Sequence, residues 1–404
     1  MFSEQEYVLV DFGAGRRLER FGPLLLDRLC PVAEGVRRGA PALWSRADAR
    51  FVPQKPDSPP NNRQNRQDRQ NRTQNASNAL GFRGVWEPLT ELGRQYFNAE
   101  TVADASQGQR AETLSSQPWT IEHAGRFLFE LKGSPFGHLG VFPEQAENWD
   151  RIDELCRKIA NQTGRPARVL NLFGYTGGSA LAAAAAGAET THLDAARNIV
   201  AQARRNAALS FPTPDADVEV KAEAKTSFEN AQKNADNQLP FQKSTQSNAA
   251  QPLHPAHPLN LARSSNADDA TRPTPGSIRW IVDDAVKFVK RELKRGVVYD
   301  GIILDPPTYG HGARGEVWRL SRDLPPLLER CVELLSETTA FVMLTCHTPG
   351  FEAPTLDRLL RSTFRARFGS ETGFRRLAKP LGIESQKNGT LPAGDLALLV
   401  RETK

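Results

Sequence analysis

The sequence is poor in cysteine. Four residues, Cys30, Cys156, Cys331 and Cys346, are spread over 404 positions without the close pairing that a zinc site or a disulfide framework needs. That excludes both as the basis of the fold and fits a reducing cytoplasm. Long apolar runs are missing as well. No stretch approaches the roughly 20 residues required to span a bilayer, and Met1–Tyr7 carries acids with no apolar run, so neither a membrane segment nor a signal peptide is expected. Apolar residues make up only 39% of the chain, little for a fully packed molecule, so part of it is expected to stay outside any core. There is no acidic excess either. Lys and Arg number 52 against 47 Asp and Glu, a net charge of +5 with a pI near 9.1, which is compatible with a nucleic-acid partner without requiring one.

Two segments account for much of the missing apolar content. Residues 53–79 are rich in Pro, Asn, Gln and Arg, with Arg63, Arg66, Arg69 and Arg72 recurring every third position. Residues 211–276 are Pro, Asn, Gln, Ser and Ala without a period. Neither can bury enough apolar surface to offset the entropy of ordering it. The first reads as a linker and the second as a surface insertion, tolerated because loop-closure entropy grows only logarithmically with length. His254 and His257 in the insertion lack further metal ligands nearby, so no metal is expected.

The ordered parts fall into two regions. In the first, Tyr7–Phe12 reads as a strand ending in Gly13-Ala14-Gly15, followed by the basic cluster Arg16, Arg17 and Arg20. That cluster can meet phosphate or simply lie on a solvated strand edge. Trp119–Glu122 and Arg126–Leu131 alternate as a hairpin. Together these suggest a small β-rich N-terminal domain over 1–132, with a second domain over 133–404.

The second region holds the motifs. Arg168–Ser179 reads Arg-Val-Leu-Asn-Leu-Phe-Gly-Tyr-Thr-Gly-Gly-Ser and runs into the alanine-rich stretch Ala180–Ala186. An apolar run, a small-residue turn and a helical pattern describe a buried parallel strand handing over to a helix. Gly174, Gly177 and Gly178 let the backbone approach a ligand. The next apolar run, Thr190–Leu193, ends in Asp194, twenty residues after Gly174, a spacing that suits a ribose hydroxyl pair. The glycines follow Gly-x-x-Gly-Gly rather than the dinucleotide pattern Gly-x-Gly-x-x-Gly. Ile278–Val282 then ends in Asp283-Asp284-Ala285, and Ile302–Leu304 in Asp305-Pro306-Pro307-Thr308-Tyr309. The two prolines fix φ and donate nothing, leaving a rigid ledge of acceptors at a strand's carboxyl end, the edge at which open α/β sheets bind ligands. Glu316–Leu335 then reads as a helix, and a fifth strand, Ala340–Thr345, ends in Cys346-His347-Thr348 at the same edge.

In order and spacing, Gly140–Gln145, Val169–Gly177, Asp194, Asp283-Asp284-Ala285 and Asp305–Tyr309 resemble a class I S-adenosylmethionine-dependent methyltransferase. They are closest to the group that contains the large-subunit (23S) rRNA cytosine-5 and guanine methyltransferases. The resemblance covers roughly 119–210 and 278–404. It implies an α/β, Rossmann-like sheet of seven mostly parallel strands with an antiparallel last strand. It also implies S-adenosyl-L-methionine as cofactor. Phe142 and Gln145 would cover it, and Asn171, Phe173, Gly174, Tyr175, Thr176 and Gly177 would cradle its aminocarboxypropyl part. Asp194 would take the ribose, and Asp284, beside Asp283, the adenine amino group. The alternative for this acid pair is to cap the helix beginning at Ala285. Asp305 and the carbonyl of Pro306 would face the acceptor or the cofactor's amino group, and Pro307 and Tyr309 the acceptor. Ribosomal RNA is the implied substrate, and a homodimer is left open.

Carbon-5 of cytosine needs a thiolate added at carbon-6 before it can be methylated. Cys346 is the only cysteine placed for that, whereas a guanine nitrogen needs none. The densest basic stretch, Arg358, Arg361, Arg365, Arg367, Arg375, Arg376 and Lys379, can follow a phosphate backbone or form a solvated helix-and-hairpin surface. Three other functions share parts of the pattern: methylation of a protein or small molecule, a nicotinamide-dependent oxidoreductase, and an RNA-binding module without catalysis. The oxidoreductase leaves Asp305-Pro306-Pro307 unexplained.

Overall fold

A computed structural model describes residues 1–54, 83–97, 118–212, 275–311, 317–338, 340–370 and 373–401. Almost all of the expected linker and insertion lies outside these residues, including His254 and His257. The described residues of Met1–Phe211 and Thr274–Lys404 belong to one compact unit. Among the described residues no helix is long and apolar enough to cross a membrane, and no three His, Cys, Asp or Glu residues are grouped to hold a metal ion.

The chain opens with β1 (Tyr7–Gly13), β2 (Arg16–Phe21), β3 (Leu24–Leu29), β4 (Ala49–Pro53) and β5 (Gly84–Pro88). The short helix α1 (Glu91–Tyr96) and the hairpin of β6 (Thr120–His123) and β7 (Phe127–Glu130) follow. Helix α2 (Ala146–Thr163) leads into the alternating part: β8 (Arg168–Leu172), α3 (Gly178–Ala185), β9 (Glu189–Asp194), α4 (Arg197–Ser210), β10 (Ile278–Val282) and α5 (Ala285–Lys294). Then come β11 (Gly301–Leu304), a small hairpin of β12 (Tyr309–His311) and β13 (Val317–Arg319), α6 (Leu320–Glu333), β14 (Phe341–Cys346), α7 (Ala353–Phe368), β15 (Phe374–Ser385) and β16 (Gly389–Arg401).

Twelve strands make one sheet, in the order β10-β9-β8-β11-β14-β16-β15-β1-β2-β3-β4-β5. The expected count of seven is therefore too small for the sheet as a whole. Within it β8, β9, β10, β11 and β14 run parallel, and β16 is antiparallel to β14. The N-terminal strands continue this sheet, because β1 pairs in parallel with β15 through Leu9 and Ser385. The helical segment expected over 316–335 starts later. Val317–Arg319 pairs instead with Tyr309–His311.

Local sequence explains the elements that frame the cleft. Strands β8, β11 and β14 carry almost wholly buried residues, as a sheet covered on both faces requires. Ala180, Ala182, Ala183 and Ala184 of α3 are fully buried, and such small side chains let the helix lie close against the strands. In α2, Trp149, Ile152, Cys156 and Ile159 fall three or four apart and are all buried, one apolar face of a helix. Gly164, with φ +70°, stops α2 in the left-handed conformation that glycine adopts without a Cβ penalty. One core cluster joins the front strands to the catalytic part, with Leu9 and Phe21 alongside Trp149, Val169 and Met343. A second, leucine-rich cluster contains Leu170, Leu304, Leu328, Val342, Leu344 and Cys346.

Candidate active site

The carboxyl ends of β8, β11 and β14 surround a partly open cleft. Of the residues singled out in the sequence, Phe142, Gln145, Asn171, Phe173, Gly174, Tyr175, Thr176 and Asp305 line it. The turn after β8 is tightly held. Gly174 N donates to the carbonyl of Leu193 at 2.9 Å, and Gly177 N to that of Gly174 at 3.0 Å. The Thr176 hydroxyl donates to the Gly140 carbonyl at 2.6 Å, and Asn206 Nδ2 to the Thr176 carbonyl at 2.9 Å. Gly174 is required sterically, since a Cβ there would stand 2.4 Å from His192 Cε1. Phe173 and Tyr175 on either side have φ +57° and +48°, conformations costly for residues with a side chain and concentrated at functional sites.

Just before that turn, on β8, Asn171 is 3% exposed and its Nδ2 has no hydrogen-bond partner among the described residues. A buried donor left unpaired costs free energy, and here it faces the cleft. Phe142 and Tyr175, both in the cleft lining, meet at a tilt with ring centroids 5.2 Å apart, and burial pushes the Tyr175 hydroxyl up to about 12.

Asp194 stands at the end of β9, outside the cleft lining, and anchors the turn. Its Oδ2 accepts from Tyr175 N at 3.1 Å and its Oδ1 from Ala196 N at 2.9 Å. Burial raises its carboxyl above the ordinary range, against the lowering effect of these backbone donors. Ala195 N is a third backbone donor to it, and the carboxylate keeps only part of its acceptor capacity for a further donor. Asp284 takes the capping alternative, its Oδ1 accepting from Lys287 N at 2.9 Å at the start of α5. Asp283 accepts from Asp284 N at 2.8 Å and pairs with Arg291. Neither acid lines the cleft.

On the acceptor side, Asp305 Oδ2 receives a long hydrogen bond, 3.4 Å, from Gln145 Nε2. Pro306 is buried and Pro307 exposed. The Pro307 carbonyl accepts from Trp318 Nε1 at 2.7 Å. Trp318 in turn packs on Phe173 with ring centroids 5.1 Å apart, so the β12–β13 hairpin ties the proline ledge to the turn after β8. Tyr309, in that hairpin, is 48% exposed.

Cys346 is a correction. Side chains alternate along β14: Met343 and Thr345 line the cleft, while Leu344 and Cys346 lie in the leucine-rich cluster on the other face. The thiol is 1% exposed and burial raises its pKa, the opposite of what a nucleophile needs. His347, one residue on, was placed at the functional edge by its position but given no role. It lies 3.6 Å from Asp305, Nε2 to Oδ1. The strand's alternation was the signal for both, once the face turned to the cleft is known.

The basic clusters are largely engaged within the chain. Arg16 pairs with Asp27, Arg17 with Glu19 at 3.1 Å, and Arg20 donates to the Glu4 carbonyl at 2.6 Å. In the later stretch, Arg361 and Arg376 approach Asp357 at 3.9 and 3.6 Å, Arg367 pairs with Glu337, and Lys379 pairs with Glu147.

Comparison with known structures agrees with this architecture. The chain is similar to the S-adenosylmethionine-dependent methyltransferase from Agrobacterium tumefaciens, with 25% identity over 100% of this chain and 92% of that one and a TM-score of 0.63. A Streptococcus mutans protein assigned as an S-adenosylmethionine-dependent methyltransferase shares the fold at 14% identity, covering 98% of this chain and 76% of that one, with a TM-score of 0.50. SMU.776, assigned as a methyltransferase and solved with SAH, shares it at 14% identity over the same shares of the two chains, with a TM-score of 0.51. No protein-family model and no curated relative matches the sequence. The fold is that of the class I S-adenosylmethionine-dependent methyltransferases.

Proposed function

We propose that the chain binds S-adenosyl-L-methionine in the cleft and transfers its methyl group to a base of ribosomal RNA. It is an S-adenosylmethionine-dependent methyltransferase, and the cofactor reading is carried by the unpaired, buried Asn171 Nδ2 near the end of β8. The residues fit that ligand. Asn171 would donate to its carboxylate, and Phe142 and Tyr175 would cover it. The remaining acceptor capacity of Asp194 would serve its ribose. The bound cofactor supplies an electrophilic methyl on a sulfonium, so the protein's task is to align an acceptor and exclude water. Asp305, at the inner end of the ledge, would hold the cofactor's amino group or orient that acceptor.

The acceptor is read as a base nitrogen. With Cys346 buried on the far face, the thiolate that carbon-5 chemistry requires is missing from the cleft. The RNA part rests on the resemblance of Asp305-Pro306-Pro307-Thr308-Tyr309 to the rRNA-modifying group and on exposed Tyr309 beside the ledge, since an unstacked base presents a face to aromatic side chains. The basic clusters add little, being mostly paired internally. Total RNA from cells lacking the enzyme, incubated with it and labelled cofactor, is expected to take up label at one position. Asp305→Ala is expected to abolish that uptake while leaving the thermal melt unchanged. Label appearing only in protein or a small metabolite would refute the RNA reading.

A further inference from the structure

Asp305 projects a carboxylate into the cleft with weak support. Its Oδ2 has a long contact, 3.4 Å, from Gln145, the Thr345 side chain also reaches the carboxylate, and its Oδ1 is buried without a close hydrogen bond among the described residues. A carboxylate so placed should swing or protonate, because burial disfavours its charge. The group that stands over Oδ1 is the imidazole of His347, with Nε2 at 3.6 Å. The fold makes room for that ring. Gly394 has φ +108°, and a Cβ there would come within 2.7 Å of His347 Nδ1 and 2.7 Å of the Cys346 carbonyl oxygen. On its outer side the ring faces Phe142, which covers the cleft, at 6.3 Å between centroids.

We propose that His347 is the positioning residue of the site: as an imidazolium it fixes the Asp305 carboxylate in its cleft-facing orientation. The assignment rests on the methyltransferase reading only for what the carboxylate then does. The charged surroundings of the ring are consistent with it. Burial alone would lower the His347 pKa. Asp305 at the end of β11, Glu144 ahead of α2 and the Ala393 carbonyl on β16 outweigh burial and hold it at about 9. The other nearby acid, Asp395, is turned to the Ala353 backbone N–H at 2.9 Å. Reciprocally, burial raises the Asp305 carboxyl, but the charge of His347 brings it below its ordinary 3.8. Between these two values both groups are ionised and the pair is intact. The pair is lost as pH rises through the folded histidine value or falls through that of the aspartate.

The test uses the full chain, with labelled histidine and aspartate followed by nuclear magnetic resonance between about pH 4 and 10. S-adenosylmethionine binding is measured by calorimetry over the same range. In the wild type His347 is expected to titrate near 9, and in Asp305→Asn to fall to 6.5 or below. His347→Gln keeps the volume without the charge. It is expected to raise the Asp305 carboxyl and weaken cofactor binding about tenfold or more, most in acid, whereas His347→Lys recovers part of the loss. A wild-type His347 titrating at its ordinary value, or superimposable affinity-against-pH curves for wild type and His347→Gln, would overturn the assignment. If the wild type bound no cofactor, the methyltransferase reading would fall, and the two histidine titrations would still decide whether the pair exists.

Discussion

Replacing Asp194 with alanine separates two effects that the structure makes one side chain perform. The carboxylate holds Tyr175 N and Ala196 N at 3.1 and 2.9 Å, and Tyr175 sits at φ +48°. Hydrogen bonds to a charged acceptor are worth about 1.5–3 kcal/mol each, so loss of both would suggest several kcal/mol. Burial of the carboxylate offsets part of that. Its folded pKa is raised, so the wild type gives up stability as pH climbs from the ordinary 3.8 through the folded value. A net loss of about 1–3 kcal/mol at neutral pH is expected, and the variant's melt should lack that acid-range dependence. Cofactor affinity should fall further than stability alone requires. A loosened turn also moves Asn171's neighbours, and the ribose loses its acceptor, together about 5- to 150-fold. Differential scanning calorimetry and isothermal titration with S-adenosylmethionine give the two numbers independently. An unchanged dissociation constant with an unchanged melt would refute both roles, and Asp194→Asn, which keeps one acceptor oxygen, should fall between.

Cys346→Ala is expected to retain methyl transfer within a few fold and to cost about 1 kcal/mol in stability, read from initial rates and urea unfolding, because the thiol is packed away from the cleft; loss of activity with an unchanged melt would restore it as nucleophile. Replacing residues 213–274 by a short Gly/Ser bridge should preserve the cooperative melt and cofactor binding, and a non-cooperative melt would show that the segment packs.

Much of the site was readable because its signals are local. The turn Asn171–Gly177, the acid at Asp194 and the ledge at Asp305 each combine a chain reversal with a strand end, and both follow from residue type at fixed spacing. What escaped was pairing over distance and facing. The β1–β15 pairing joins Leu9 to Ser385, and nothing in Tyr-Val-Leu-Val-Asp-Phe names its partner strand. The β12–β13 hairpin has three residues on each side, too short for a period, and the second side was absorbed into the following helix. Cys346 and His347 were read by position alone. Which of two alternating faces meets the cleft depends on the helices packed outside, and that is tertiary information. At Asp283-Asp284 two sound local uses competed, and the helix start at Ala285 claimed Asp284.

The continuity of the sheet from β10 to β5 has a mechanical consequence. Strands that share a backbone ladder cannot rotate as independent bodies without breaking hydrogen bonds along it, and here one apolar cluster also spans the junction. The front strands and the cleft therefore behave as two arms of a fixed bracket. Its span is set by strand spacing of about 4.8 Å per step.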